Sequence, residues 1–132
     1  MLEIACLAFA IYFEARSEPI AGQLAVANVI INRKLSPRYP NNICAVVFEG
    51  PVYPSGHPIK NRCQFSFFCD GQLEVISDRG AWHTALNVAK SAISNRLDVS
   101  EGATHYHTTK VFPKWRLSLQ QTIKIGEHIF YR

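Results

Sequence analysis

No stretch of this 132-residue chain can cross a bilayer as a helix: the longest apolar run, Ile4 to Phe13, falls well short of the about 20 residues required. The same run fails as an export signal. No Lys or Arg precedes it, and Glu14 and Arg16 follow where a small-residue cleavage site would stand. Charge is sparse, with 18% charged residues and no run of Lys or Arg. The net charge of +4 therefore fits either an ordinary basic surface or an acidic partner: nucleic acid, an anionic membrane surface or an acidic wall polymer. There is no G-x-S-x-G elbow for a serine nucleophile and no phosphate-cradling glycine loop. H-E-x-x-H and H-x6-D are also missing, which removes the common zinc-peptidase signatures. Repeats, low-complexity tracts and linkers are lacking too, so residues 1–132 read as one domain.

The chain does have a 48% apolar composition that suits a packed core. Residues 2–16 carry Ile4, Leu7, Ala8, Ile11 and Ala15 at helical spacing. A second helix is expected from Ile20 to about Leu35, with Ser17 or Glu18 as N-cap and Pro19 at its first position. It is apolar on nearly every side, the pattern of a central core helix. Its exceptions, Asn28 and Asn32, share a face and must be hydrogen-bonded, either fixing a loop or lining a cleft. Residues 36–79 are broken by Pro and Gly, with one helical turn expected at Ile43–Phe48. A third helix fits Ala81–Asn95. The period then changes to two at residues 103–108. "TIKIGEHIFYR" reads as a hairpin turning at Gly126-Glu127 in type II′ geometry, with Ile123, Ile125, His128 and Phe130 on one face. The expected class is α+β, mainly helical, with a small antiparallel sheet near the C-terminus.

Cysteine count and side-chain chemistry leave choices open. Cys6, Cys44, Cys63 and Cys69 allow three disulfide pairings; structural zinc and buried free thiols are the alternatives, and the spacing of Cys63 and Cys69 is not a zinc knuckle. Glu14 stands at the end of an apolar helix, where partial desolvation raises a carboxyl pKa and prepares a general acid. A salt bridge to Arg16 or Arg33, or plain solvation, is the competing account. Glycoside cleavage usually needs a second carboxylate. Glu18, Asp70 and Glu101 are candidates, none compelling, which points to chemistry in which one acid suffices and the substrate supplies its own nucleophile. His105 and His107 alternate along a strand, as metal ligands or as partners of a polar ligand. "CQFSFFCDG" places aromatics between two cysteines, for ligand stacking or a satellite core.

Five stretches, in order, resemble the SleB/CwlJ-type cell wall hydrolases, also called spore cortex-lytic enzymes: "CLAFAIYFEARSEPIAGQLAVANVIINRK" (6–34), "NNICAVVF" (41–48), "CQFSFFCDG" (63–71), "GATHYHTTKVFPKW" (102–115) and "IGEHIFY" (125–131). The resemblance implies a lysozyme-like catalytic domain. It implies a lytic transglycosylase cutting the bond from muramic acid to glucosamine in peptidoglycan, with a single glutamate, Glu14. Ser17 stands where the family pattern has glycine. Tyr106 is the best match in the family's aromatic cluster, with His105 and His107 beside it. Tyr106, Gln64 and Ser66 are then expected around the reacting carbon, and Trp115, Phe65 and Tyr12 as sugar-stacking residues. The implied partner is the peptidoglycan glycan strand, with no nucleic acid, membrane span, metal or cofactor, acting as a monomer on the wall or spore cortex. Lacking an export signal, the chain would be an excised domain or a phage-delivered lysin. The alternatives are a hydrolytic muramidase and a non-catalytic wall-binding module.

Overall fold

The computed structural model describes residues 2–72, 74–95 and 97–132. Helices α1 (Leu2–Ala15), α2 (Ile20–Leu35), α3 (Ile43–Val47) and α4 (Arg79–Ser94) precede strands β1 (His105–Thr108), β2 (Gln121–Ile125) and β3 (His128–Tyr131). Short 3-10 turns occupy Ser66–Cys69 and Lys114–Leu117.

The helix α2 is the central element, as its all-round apolar surface implies. It touches α1, α3, α4, β1 and β2. Ala25, Val26, Ala27, Val29 and Ile30 are fully buried, and the two alanines let neighbouring backbones approach closely. Each fully buried Val, Leu or Ile contributes about 1.5–3 kcal/mol to burial. The same core cluster takes in Leu7, Ile11 and Tyr12 of α1, and Ala85 and Ala89 of α4.

Its polar exceptions tie down one loop. The Asn28 amide donates to the Leu97 carbonyl at 3.3 Å and its Oδ1 accepts from the Val99 N–H at 3.0 Å. Asn32 Nδ2 donates to Asp98 Oδ2 and to the Ala103 carbonyl, both at 2.9 Å. Asp98 in turn accepts from the N–H groups of Ser100 (2.9 Å) and Gly102 (3.0 Å). The loop therefore delivers β1 in a fixed position on α2.

The sheet runs β1-β3-β2, antiparallel throughout. The turn between β2 and β3 has Gly126 at φ +57, while Glu127 is not left-handed, which is the type II′ pattern. Register pairs Ile123 with Phe130 and Ile125 with His128, so these four share a face as expected. Tyr106 pairs with Phe130 and joins that face; His105 and His107, one residue out of phase, join the other.

Two sequence expectations change. Pro19 is the N-cap of α2, not its first helical residue. At φ −61 and ψ 161 it is extended, and no side chain caps the helix. The α4 helix starts at Arg79, two residues before Ala81, because the Asp78 carboxylate accepts from the Ala81 N–H at 3.0 Å and makes Asp78 the N-cap. Ser17, in place of the pattern's glycine, is exposed and not left-handed, so no glycine is required there. The cysteines form two disulfides, Cys6–Cys44 and Cys63–Cys69. The first staples α1 to α3; the second closes a small ring around residues 64–68.

Candidate active site

Glu14 sits in the last turn of α1, half-buried, its carboxylate directed at β1. The Tyr106 hydroxyl donates to its Oε1 at 2.5 Å. Burial pushes the Glu14 carboxyl above the ordinary carboxylate range, and the tyrosine hydrogen bond opposes this by favouring the ionised form. The Tyr106 phenol is held well above its usual value by burial and by the adjacent carboxylate, so it remains a donor. Among the described residues no donor reaches Oε2, and that oxygen is not sealed inside, so it is the atom free to carry a proton to a ligand.

The Tyr106 ring is fixed from behind by His128 (centroids 4.9 Å apart) and Phe130 (5.6 Å). His128 Nδ1 lies 3.9 Å from Glu18 Oε1, and that carboxylate oxygen also accepts from the Glu127 N–H at 2.8 Å. Glu18 is thereby committed to locking the β2–β3 turn onto the α1–α2 junction. Gly126 makes room for it: a Cβ there would collide with Glu18 Oε1. Glu18 is thus held as a structural acid at that junction. Asp70 accepts from the Gln72 N–H at 2.9 Å at the end of its 3-10 turn, and Glu101 is exposed in the loop before β1. Neither adds to the forces acting on the Glu14 carboxyl.

Arg16 and Arg33, the sequence's alternative partners for Glu14, are placed elsewhere. Arg16 donates to the Tyr12 carbonyl at 3.3 Å and stacks on its ring. Arg33, buried in α2, donates through Nε to the Thr104 carbonyl (2.7 Å) and through Nη1 to Gln64 Oε1 (3.2 Å). It thereby draws the exposed Gln64 to the start of β1. Sequence reasoning missed Arg33 as a site residue. The available signal was a cation in an otherwise largely apolar helix, off the face that carries Asn28 and Asn32.

The remaining candidates divide. Tyr12 is a correction: it is 1% exposed, and its hydroxyl accepts from the N–H groups of Ser77 (3.2 Å) and Asp78 (3.0 Å), so it anchors the start of α4 and cannot stack on a sugar. Phe65 is a second correction: it is 3% exposed, with the Arg33 guanidinium 5.5 Å from its ring centroid. Its neighbour Phe67 stacks on Phe13 at 5.0 Å, so this aromatic cluster extends the core. Ser66 is exposed at the start of its turn, and among the described residues it makes no hydrogen bond to Glu14. His105, His107 and Trp115 lie on the sheet face away from Tyr106. Trp115 packs on His105 (5.1 Å), His107 (5.6 Å) and Tyr131 (5.3 Å). His107 donates through Nδ1 to the Thr108 carbonyl and accepts through Nε2 from the Tyr131 hydroxyl, both at 2.7 Å, so neither nitrogen is free for a metal. His105 pairs with Thr104 Oγ1 at 2.9 Å; burial and the Arg33 charge lower its pKa. Among the described residues no group of three His, Cys, Asp or Glu side chains is arranged to hold a metal.

An apolar cavity of about 270 Å³ lies elsewhere, between α2 and α4, lined by Ile31, Ile43, Ile93, Asn28, Asn32 and Asp98. Of the polar groups that line it, Asn28, Asn32 and Asp98 are spent on tethering the 97–103 loop and Lys34 pairs with Glu3, so Glu14 is the stronger candidate for chemistry.

Comparison with known proteins agrees with this architecture. Residues 17–131 match the family described as Cell Wall Hydrolase; that span begins after Glu14, whose case rests on geometry. The spore cortex-lytic enzyme of Halalkalibacterium halodurans is 37% identical over 129 residues, covering 97% of this chain and 34% of that protein. The one from Bacillus subtilis is 36% identical over 130 residues, covering 97% and 37%. The chain thus spans little more than a third of the length of these relatives. Among solved structures, the catalytic domain of the germination-specific lytic transglycosylase SleB from Bacillus anthracis superposes with a TM-score of 0.74 at 34% identity, covering 98% of this chain and 93% of that one. The catalytic domain of the Bacillus cereus SleB protein gives 0.69 at 32% identity, covering 98% and 89%.

Proposed function

Because this chain belongs to the cell wall hydrolase family, we propose that it is a lytic transglycosylase acting on peptidoglycan glycan strands, with Glu14 as its one acid and base. The observation that carries this reading is the isolation of Glu14. It is half-buried, its pKa is raised by burial, Tyr106 orients it, and no second carboxylate among the described residues shares its site.

Protonated Glu14 delivers its proton from Oε2 to the glycosidic oxygen as the bond from the muramoyl anomeric carbon breaks. Tyr106 holds Oε1 throughout and steadies the carboxylate that results. The substrate's own 6-hydroxyl then attacks the anomeric carbon while Glu14 takes up its proton. The glucosamine end leaves with a free hydroxyl, the muramoyl end closes as a 1,6-anhydro ring, and Glu14 returns to its starting state. No water is consumed, which accords with a site built around one acid.

The test is digestion of purified peptidoglycan with product masses recorded. The wild-type chain should release anhydro-muramoyl ends, and Glu14→Gln should slow release by about 10²- to 10⁴-fold, the usual worth of a general acid. Reducing ends would identify a hydrolytic muramidase, and unchanged release from Glu14→Gln would overturn the assignment of the acid.

A further inference from the structure

Arg33 is an electrostatic anomaly. It is 6% exposed, yet it faces no acid. The ion pairs among the described residues are Lys34–Glu3 and His128–Glu18, and Arg33 is in neither. Its neighbours are neutral: the Thr104 carbonyl, Gln64 Oε1, and the rings of Tyr39 (5.0 Å) and Phe65 (5.5 Å). A buried charge is normally paired, because leaving water costs several kcal/mol that carbonyls and rings offset only in part.

The guanidinium is also incompletely used. Nε and Nη1 are engaged; among the described residues Nη2 has no acceptor, and it is not sealed off from solvent. Gln64 is exposed and spends its oxygen on Arg33, which leaves its amide nitrogen as a second donor beside the first. The Gln64 backbone is held too. Its N–H donates to the Glu49 carbonyl at 3.0 Å, and the Cys63–Cys69 disulfide closes the ring around it. That contact sets the loop close against the neighbouring Gly50, where a Cβ would lie 2.9 Å from the Cys63 backbone.

The geometry points to a carboxylate-binding subsite formed by Arg33 and Gln64 at the start of β1, the strand that carries Tyr106 to Glu14. It rests on the glycan-cleaving reading above and names what that substrate brings: a carboxylate, whose charge supplies the counter-ion the protein omits and whose two oxygens suit two adjacent N–H donors. A neutral amide carbonyl would satisfy one donor and leave the charge unpaired. Peptidoglycan offers carboxylates from two sources, the lactyl group of a muramic acid without a peptide and the stem peptide itself. Proximity to the reacting end of β1 is set by Arg33, whose Nε holds the carbonyl of Thr104, two residues before Tyr106.

The test reads binding without turnover, in the Glu14→Gln background, on insoluble purified peptidoglycan. Gln64→Glu installs the missing counter-ion at Arg33 without removing the arginine. Binding is expected to weaken about ten-fold, with the thermal midpoint unchanged or raised. A purely structural Arg33 would give the same thermal result and unaltered binding, which would overturn the subsite. Amidating the polymer's carboxylates should weaken the Gln64 parent to the level of Gln64→Glu and abolish the difference between them; a persisting difference would equally refute it. Removing stem peptides with an amidase separates the sources, since retained binding assigns the lactyl carboxylate and lost binding the stem. A wild-type chain that releases anhydro ends while Gln64→Glu binds normally refutes the subsite alone. A chain that neither cuts nor binds the wall refutes the functional reading and the subsite with it.

Discussion

Replacing Tyr106 with Phe removes one hydroxyl and keeps the ring that packs on His128 and Phe130. The lost interaction is the donation to Glu14 Oε1 at 2.5 Å. A hydrogen bond to a charged group contributes about 1.5–3 kcal/mol, so if it positions the acid, cleavage should slow by about ten- to 150-fold. The pH dependence carries the sharper test. The hydroxyl favours ionised Glu14, so its removal lets burial raise the carboxyl pKa further, and the limb of the rate profile that reports Glu14 should move to higher pH. Stability follows the same sign. With a folded pKa above the unfolded one, Glu14 favours folding fully below its unfolded pKa, and that contribution is lost as pH rises through the folded value. The thermal midpoint of Tyr106→Phe should therefore trail wild type most on the alkaline side of the Glu14 titration, and the gap should narrow in acid, where both proteins carry the proton. Initial rates of turbidity loss from wall suspensions, with thermal scans across the same pH series, measure both. A limb that stays in place or moves to lower pH, or a gap that does not depend on pH, would refute the reasoning.

The two disulfides should differ in what they contribute. Chain-entropy arguments assign about 4 kcal/mol to Cys6–Cys44, which spans 38 positions, and about 2 kcal/mol to Cys63–Cys69, which spans six. Chemical denaturation of the paired Cys→Ser variants should show that order, and the reverse order would contradict it. Gly126→Ala places a Cβ against Glu18 Oε1 at a left-handed φ of +57, and should lower stability by about 1–3 kcal/mol in the same assay; no loss would mean that the Glu18 anchor tolerates displacement.

Much of this fold was legible because each element announces itself through local chemistry. The bounds of α2 followed from an apolar segment delimited by Pro19 and Ser36. The hairpin followed from Gly126 between two alternating runs, and the raised pKa of Glu14 from its place at the end of an apolar helix. Asn28 and Asn32 had to be satisfied somewhere, and the 97–103 loop satisfies them. What stayed hidden depends on contacts between distant segments. Tyr12 and Phe65 have the composition of sugar-stacking residues, and only tertiary packing makes them interior. The alternation at residues 105–107 already separated Tyr106 from the two histidines, but it did not say which face Glu14 would meet. Arg33 was visible only as a possible salt-bridge partner for Glu14, whereas its pairing with Gln64 joins residues 31 positions apart through an irregular loop.

The order of the strands has a consequence for timing during synthesis. The strand β3 lies between β1 and β2 in the sheet, yet it follows both in sequence. Until residue 131 has left the ribosome, β1 has no neighbour to pair with and Tyr106 has no Phe130 or His128 behind its ring. Glu14 emerges 92 residues before Tyr106 and waits on helices that can form early. A nascent chain therefore carries Glu14 long before it carries the partner that aims it, and the pair gains its backing only once β3 has joined the sheet.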